Sequence, residues 1–238
     1  MQEAKDVIDH PRIILCEGAQ DASFFRHLIG ERRLPPFYIA YPWDKEDATD
    51  LQGVRRPGGR QGFHSRLASL KFADKLEEAM GILVVSDSDA DPKASFQEVR
   101  EQILEVDGCA APNRPSTAAR GAGVLPPVAV AMIPSGDTPG SLETLCLESM
   151  SQRWPDVARC VDALFVCAGL EDWPQTKREK ARLRAMLACA CKSDPNTSLV
   201  HAWSGDGRPP DLIPLQHPVF DGIAEFLAHF DALVQGAA

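Results

Sequence analysis

The stretch GILVVSDSDADP, residues 81–92, joins an apolar run to three acidic residues spaced two apart. Ile82, Leu83, Val84 and Val85 form a short, mostly β-branched run bounded by turn residues, as in a parallel strand covered on both faces. Asp87, Asp89 and Asp91 then fall at the carboxyl end of that strand. Carboxylates crowded at one strand end repel one another unless a cation or a positive group lies among them. The sequence therefore poses a question of chemistry: which cation, and for what purpose.

Working outward, strands and helices alternate. RIILCEG (12–18) reads as a first strand, and DASFFRHLIGERR (21–33) as a helix with Asp21 as its N-cap. FYIAYP (37–42) is a second strand, followed by a polar stretch with PGG at 57–59 and a helix near 61–79. After the 81–87 strand, residues 92–106 suit a helix, with Asp91 as N-cap and Pro92 at the first helical position. Residues 107–127 are rich in Gly, Pro, Ala and Ser and read as a loop, and VAVAMI (128–133) as a fourth strand. This order predicts an α/β fold: a doubly wound, four-stranded parallel sheet of order 2-1-3-4, Rossmann-like in its winding. Beyond residue 140 the pattern is helical. The division expected is an α/β domain over 10–151 and a helical C-terminal extension over 152–238, packed on the sheet or standing as a separate lobe.

In the order 2-1-3-4 the crossover direction reverses between the first and third strands, where such sheets bind ligands outside the carboxyl ends. Glu17 ends the first strand and Asp87 the third. Adjacent strands lie roughly 4.8 Å apart, so Glu17 is expected beside Asp87 and Asp89.

These residues carry a resemblance. CEGAQDASFF followed by VVSDSDADP resembles the TOPRIM domain of type IA topoisomerases, primases, OLD-family nucleases and recombination mediators. Its motif is a Glu ending one strand and an Asp-x-Asp ending a later one, here Glu17, Asp87 and Asp89, about 70 residues apart. The resemblance covers about residues 10–150. PGSLETL and the helical tail look like a group of uncharacterised prokaryotic TOPRIM-like proteins. The resemblance implies Mg²⁺-dependent (or Mn²⁺-dependent) phosphoryl transfer on nucleic acid, DNA or RNA, most simply by a small nuclease. Glu17, Asp87 and Asp89 would be the catalytic and metal-binding residues. Asp91 and Glu143 are further metal candidates, Glu143 for a second ion. The donor chemistry agrees, since Mg²⁺ takes hard carboxylate oxygens together with phosphate and water.

Simpler roles compete. Asp91 suits a helix cap, and Glu143 suits the first turn of a helix, where it complements the dipole. DSDADPKASFQE has the acidic spacing of an EF-hand loop, but Pro92 stands where that loop needs Gly and a strand precedes it. A nucleotide-sugar transferase would use the Asp-x-Asp but leaves Glu17-Gly18 unexplained. Strand passage by a topoisomerase needs a nucleophilic tyrosine, and Tyr38 and Tyr41 both belong to the second strand. Against the enzyme stands a non-catalytic TOPRIM-like module that binds nucleic acid or protein.

Composition bounds the partners. The 238 residues carry a net charge of −9, which excludes broad electrostatic coating of nucleic acid and leaves room for a local basic groove. Arg55, Arg56 and Arg60 form one such group, and Lys177 and Arg178 begin another; either could hold a phosphate backbone. A protein partner that delivers substrate fits the acidic balance. The N-terminal segment lacks a signal-peptide pattern, no run is long enough to span a bilayer, and seven cysteines sit largely in apolar contexts. The expectation is a cytoplasmic protein with free thiols and no membrane partner.

Overall fold

The computed structural model describes residues 7–42, 58–203 and 212–237. The expected parallel strands are β1 (Arg12–Leu15), β2 (Tyr38–Ala40), β3 (Gly81–Asp87) and β5 (Val128–Ile133). They pair in the order β2-β1-β3-β5, all parallel. The sheet nevertheless has a fifth strand, β4 (Ala118–Ala119), antiparallel to β5 at the edge. It is therefore a mixed five-stranded sheet rather than a four-stranded parallel one. The extra strand lies in the Gly/Pro-rich stretch expected to be loop.

Alternation along the strands divides the interior into two layers. Ile13, Leu15, Ile82, Val84, Val128 and Val130 face a core built with α2 (Phe63–Leu70) and α3 (Pro92–Leu104). Ile14, Cys16, Leu83, Val85, Ala129 and Ile133 face the other core, built with α1 (Ala19–Glu31) and α4 (Leu142–Arg153). With apolar side chains on both faces, β3 reads as a continuous apolar run. The helix expected near 61–79 is shorter. It consists of a 3-10 turn at Gly59–Gly62, then α2, with another 3-10 turn at Leu76–Glu78.

The C-terminal part does not stand apart. α5 (Pro155–Cys167), α6 (Gln175–Ala190), α7 (Asp221–Ala228) and α8 (Phe230–Gln235) share the second core with the sheet through Phe165, Leu183, Met186, Leu187, Phe230 and Val234. The Phe230 ring lies 5.5 Å from that of Phe37. Gly81 opens β3 directly beneath α8; a Cβ there would stand 2.6 Å from Val234 Cγ1. Arg12 at the start of β1 donates two hydrogen bonds to the Asp231 carboxylate, at 2.7 and 2.5 Å. All seven cysteines are free, and no helix among the described residues is long and apolar enough to cross a membrane.

Because sheet and tail share one core, they should unfold together. Tryptophan fluorescence, which reports from Trp43 and from Trp154, Trp173 and Trp203 in the tail, and far-UV circular dichroism should give coincident denaturant transitions. Phe230→Ala should lower the stability of that single transition by about 3–5 kcal/mol. Two separated transitions would show an independent tail.

Candidate functional site

The register of β1 on β3 sets the site. Leu15 pairs with Val84, so Glu17, two residues on, arrives beside Ser86 and Asp87. Glu17 Oε1 accepts from Ser86 Oγ at 2.5 Å and from the Asp87 N–H at 3.1 Å. The expected juxtaposition of Glu17 and Asp87 is therefore present, at the point where the winding of the sheet reverses.

The groups around it come from five elements. Asp87 Oδ1 accepts from the Leu142 N–H, the first residue of α4, at 3.0 Å. Asp89 follows in the left-handed region (φ +49°), which Asp tolerates better than most residues. Its backbone pairs with Gly140 in both directions, at 2.8 Å each way. Gly140 has φ +138°, and a Cβ there would come within 2.7 Å of Thr144 Oγ1. Glycine is thus required where the loop preceding α4 meets the Asp-x-Asp turn. Glu143, in the first turn of α4, is buried, with Lys180 Nζ of α6 at 3.9 Å. Asp21 Oδ2 accepts from the Gly18 N–H at 3.0 Å. Asp21 is not the N-cap: α1 begins at Ala19, Gly18 is the cap, and Asp21 returns to it from the third helical position.

The cation among these carboxylates is an arginine. Arg60 Nε donates to Ser86 Oγ (2.8 Å) and Glu17 Oε1 (3.2 Å). Nη2 donates to the Asp87 carbonyl (2.6 Å) and Asp89 Oδ2 (2.7 Å), and Nη1 to Ser95 Oγ (3.2 Å) and Glu98 Oε2 (3.3 Å). The side chain is 12% exposed. Burial works against its charge, but Glu17 and Asp89 hold it protonated, above the ordinary arginine range. Ser95 Oγ in turn donates to the Ser88 carbonyl, so the same contacts fix the turn after β3.

On the other side of Glu17 the charge is less well balanced. Loss of water raises the pKa of Asp87 well above the usual carboxylate range, and the charges of Asp21, Glu17 and Glu143 raise it further, against the Leu142 N–H. Asp21 is pushed up to about 7 by loss of water, then by Glu17 and Glu143, while the Gly18 N–H and Lys180 pull it down. Hard oxygens short of positive charge are the donor set that a divalent cation takes, and in that respect the residues fit Mg²⁺ or Mn²⁺. Among the described residues no three His, Cys, Asp or Glu side chains stand together in ligating geometry. Glu17 and Asp89 are drawn to Arg60, and Asp87 to the α4 N–H.

The other candidates fall elsewhere. Asp91 is exposed and caps α3, accepting from the Lys93 and Ala94 N–H groups at 3.1 and 3.0 Å. Lys177 lies over the Trp173 ring at 3.9 Å, and Arg178 donates to the Glu171 carbonyl at 2.6 Å. Of that basic run it is Lys180 that meets the carboxylates, at Glu143. Arg55 and Arg56 lie outside the described residues. Arg60 is not free to hold a phosphate backbone here, because each guanidinium nitrogen donates to protein acceptors. Sequence reasoning missed this counter-ion role, along with Ser86 and the place of Lys180 beside Glu143. The available signal was position: Arg60 comes between β2 and α2, and in a parallel α/β sheet residues that follow a strand fall at its carboxyl end, where the acidic residues gather.

Residues 11–230 match the family described as a protein of unknown function, DUF3226. The chain belongs to the DUF3226 family. No curated protein and no solved structure matches it. The arrangement around Arg60 therefore has to be read from this DUF3226 chain itself.

The raised carboxyls make stability depend on pH. Between the ordinary value near 3.8 and about 7, folded Asp21 keeps a proton that the unfolded chain releases, so stability falls as pH rises through that window. Asp87 acts in the same direction. In chelator-treated protein the melting temperature should fall from pH 5 to pH 8. Asp21→Asn, which retains an acceptor for Gly18, should shrink that fall. An unchanged slope in the variant would refute the raised pKa of Asp21.

Proposed function

We propose that this DUF3226 chain is a TOPRIM-like, Mg²⁺-dependent (or Mn²⁺-dependent) enzyme of phosphoryl transfer on nucleic acid, a small cytoplasmic nuclease. One observation carries the reading: Glu17 meets Asp87 at the β1/β3 switch point, its Oε1 accepting from the Asp87 N–H at 3.1 Å, with Asp89 in the turn that follows. A bound divalent ion would neutralise phosphate charge and lower the pKa of an attacking water. The chain's own groups are suited to the rest. Ser86 and the Asp87 N–H fix the orientation of Glu17. The Leu142 N–H orients Asp87. Lys180, half exposed beside Glu143, is placed to meet a phosphate. Glu143 would belong to a second ion, whereas Asp91 is better accounted for by its capping bonds.

A second reading has a specific observation in its favour. Arg60 already sits between Glu17 and Asp89. If the arginine is their permanent counter-ion, the domain is a non-catalytic module that binds nucleic acid or a protein partner.

The two readings separate on metal and on cleavage. Under the enzyme reading Mn²⁺ should raise the melting temperature of the parent by mass action, more at pH 8 than at pH 5.5, and not that of Asp87→Asn/Asp89→Asn. A panel of single-stranded, duplex and structured DNA and RNA should show Mn²⁺-dependent cleavage that Glu17→Gln abolishes. Metal binding without cleavage of any substrate would favour the module. Equal cleavage by parent and Glu17→Gln would assign the activity to a contaminant.

A further inference from the structure

We infer that Arg60 is a displaceable internal cation, which competes with a divalent ion for Glu17 and Asp89. The inference rests on the metal reading above and adds a step of regulation to it.

The geometry is that of a plug rather than of a surface ion pair. The guanidinium makes six hydrogen bonds, from all three of its nitrogens, to acceptors on β3, α3 and the turns after β1 and β3. Two of those acceptors are Glu17 Oε1 and Asp89 Oδ2, oxygens that a metal held by the motif needs. Arginine has the planar fork to engage several oxygens at once, and it cannot lose its charge, so it leaves only by moving. Its place in the chain permits movement. Arg60 is in a short 3-10 turn, Gly59–Gly62, between Gly58 and α2, where no strand pairing restrains it. Gly59 has φ +63°, a conformation glycine enters and leaves at little steric cost.

The charges make the exchange specific. A dication and the guanidinium cannot share Glu17 Oε1 and Asp89 Oδ2 at close range without strong repulsion. Metal entry therefore expels the guanidinium, and its withdrawal also releases Ser95, Glu98 and the Asp87 carbonyl. The freed arginine stays tethered beside the site, where a substrate phosphate is the anion left for it. Asp87, whose carboxylate is held by the Leu142 N–H rather than by Arg60, remains in place for the incoming ion.

The test is Mn²⁺ binding to chelator-treated protein, followed by calorimetry and by the electron paramagnetic resonance signal of free Mn²⁺, in parent and Arg60→Ala. Competition predicts at least tenfold tighter binding by the variant. A second measurement needs no variant: in the parent, the Nε–H resonance of Arg60 should shift and exchange faster with water as Mg²⁺ is added. It also serves if Arg60→Ala does not fold. Equal or weaker Mn²⁺ binding by Arg60→Ala, or an Arg60 resonance unmoved at saturating Mg²⁺, overturns the competition and leaves the metal reading standing. No binding by either protein overturns both.

Discussion

The structure depends on how a concentration of negative charge is held at the carboxyl ends of β1 and β3. Parallel pairing in this register leaves Glu17 no position except against Ser86 and Asp87. Two like charges about 4 Å apart repel by about 4 kcal/mol at the effective dielectric of a protein surface. Each element bordering the site supplies something against that repulsion. The loop before α2 supplies Arg60, α4 supplies an N–H to Asp87, and α6 supplies Lys180 to Glu143. Loss of water, and after it the charge left unbalanced, raises the pKa of Asp87 and Asp21.

The helical tail matters to this balance as well as to the core. α6 is anchored by Leu183, Met186 and Leu187 in the same core as β1 and β3, and this anchoring brings Lys180 to Glu143. Thr144, which follows Glu143 in α4, donates to Glu179 of α6 at 2.6 Å. The tail therefore completes the electrostatics of a site whose acidic residues all belong to the first part of the chain. This is the physical reason for treating residues beyond 152 as part of the functional unit.

Much of this was legible in the sequence, for reasons particular to each element. β1, β3 and β5 are apolar runs flanked by turn residues, and their burial on both faces leaves little choice of period. The meeting of Glu17 with Asp87 followed from strand order alone. β4 carried no such signal: Ala118–Ala119 is two residues in a stretch of Gly, Pro and Ala, and it is strand only because β5 offers it an edge. Asp21 looked like a cap because Asp favours that position, but Gly18 takes the cap and Asp21 bonds back to it from the first turn. The role of Arg60 was hidden for a different reason. In the sequence Arg60 reads as one of a basic group with Arg55 and Arg56, and its partners are gathered from residues 17, 86, 87, 89, 95 and 98 only by the fold. The sequence asks which positive group lies among the acidic residues, and the structure answers with an arginine.

The central claim is that the β1/β3 switch point is a divalent-ion site. A crystal structure of the full chain grown or soaked with Mn²⁺, with anomalous scattering recorded at the manganese edge, tests it most directly. The account predicts an anomalous peak between the Glu17 and Asp87 carboxylates, with Asp89 turned to it and the Arg60 guanidinium withdrawn. No anomalous peak there at saturating Mn²⁺, with Arg60 still bonded to Glu17 and Asp89, would contradict it.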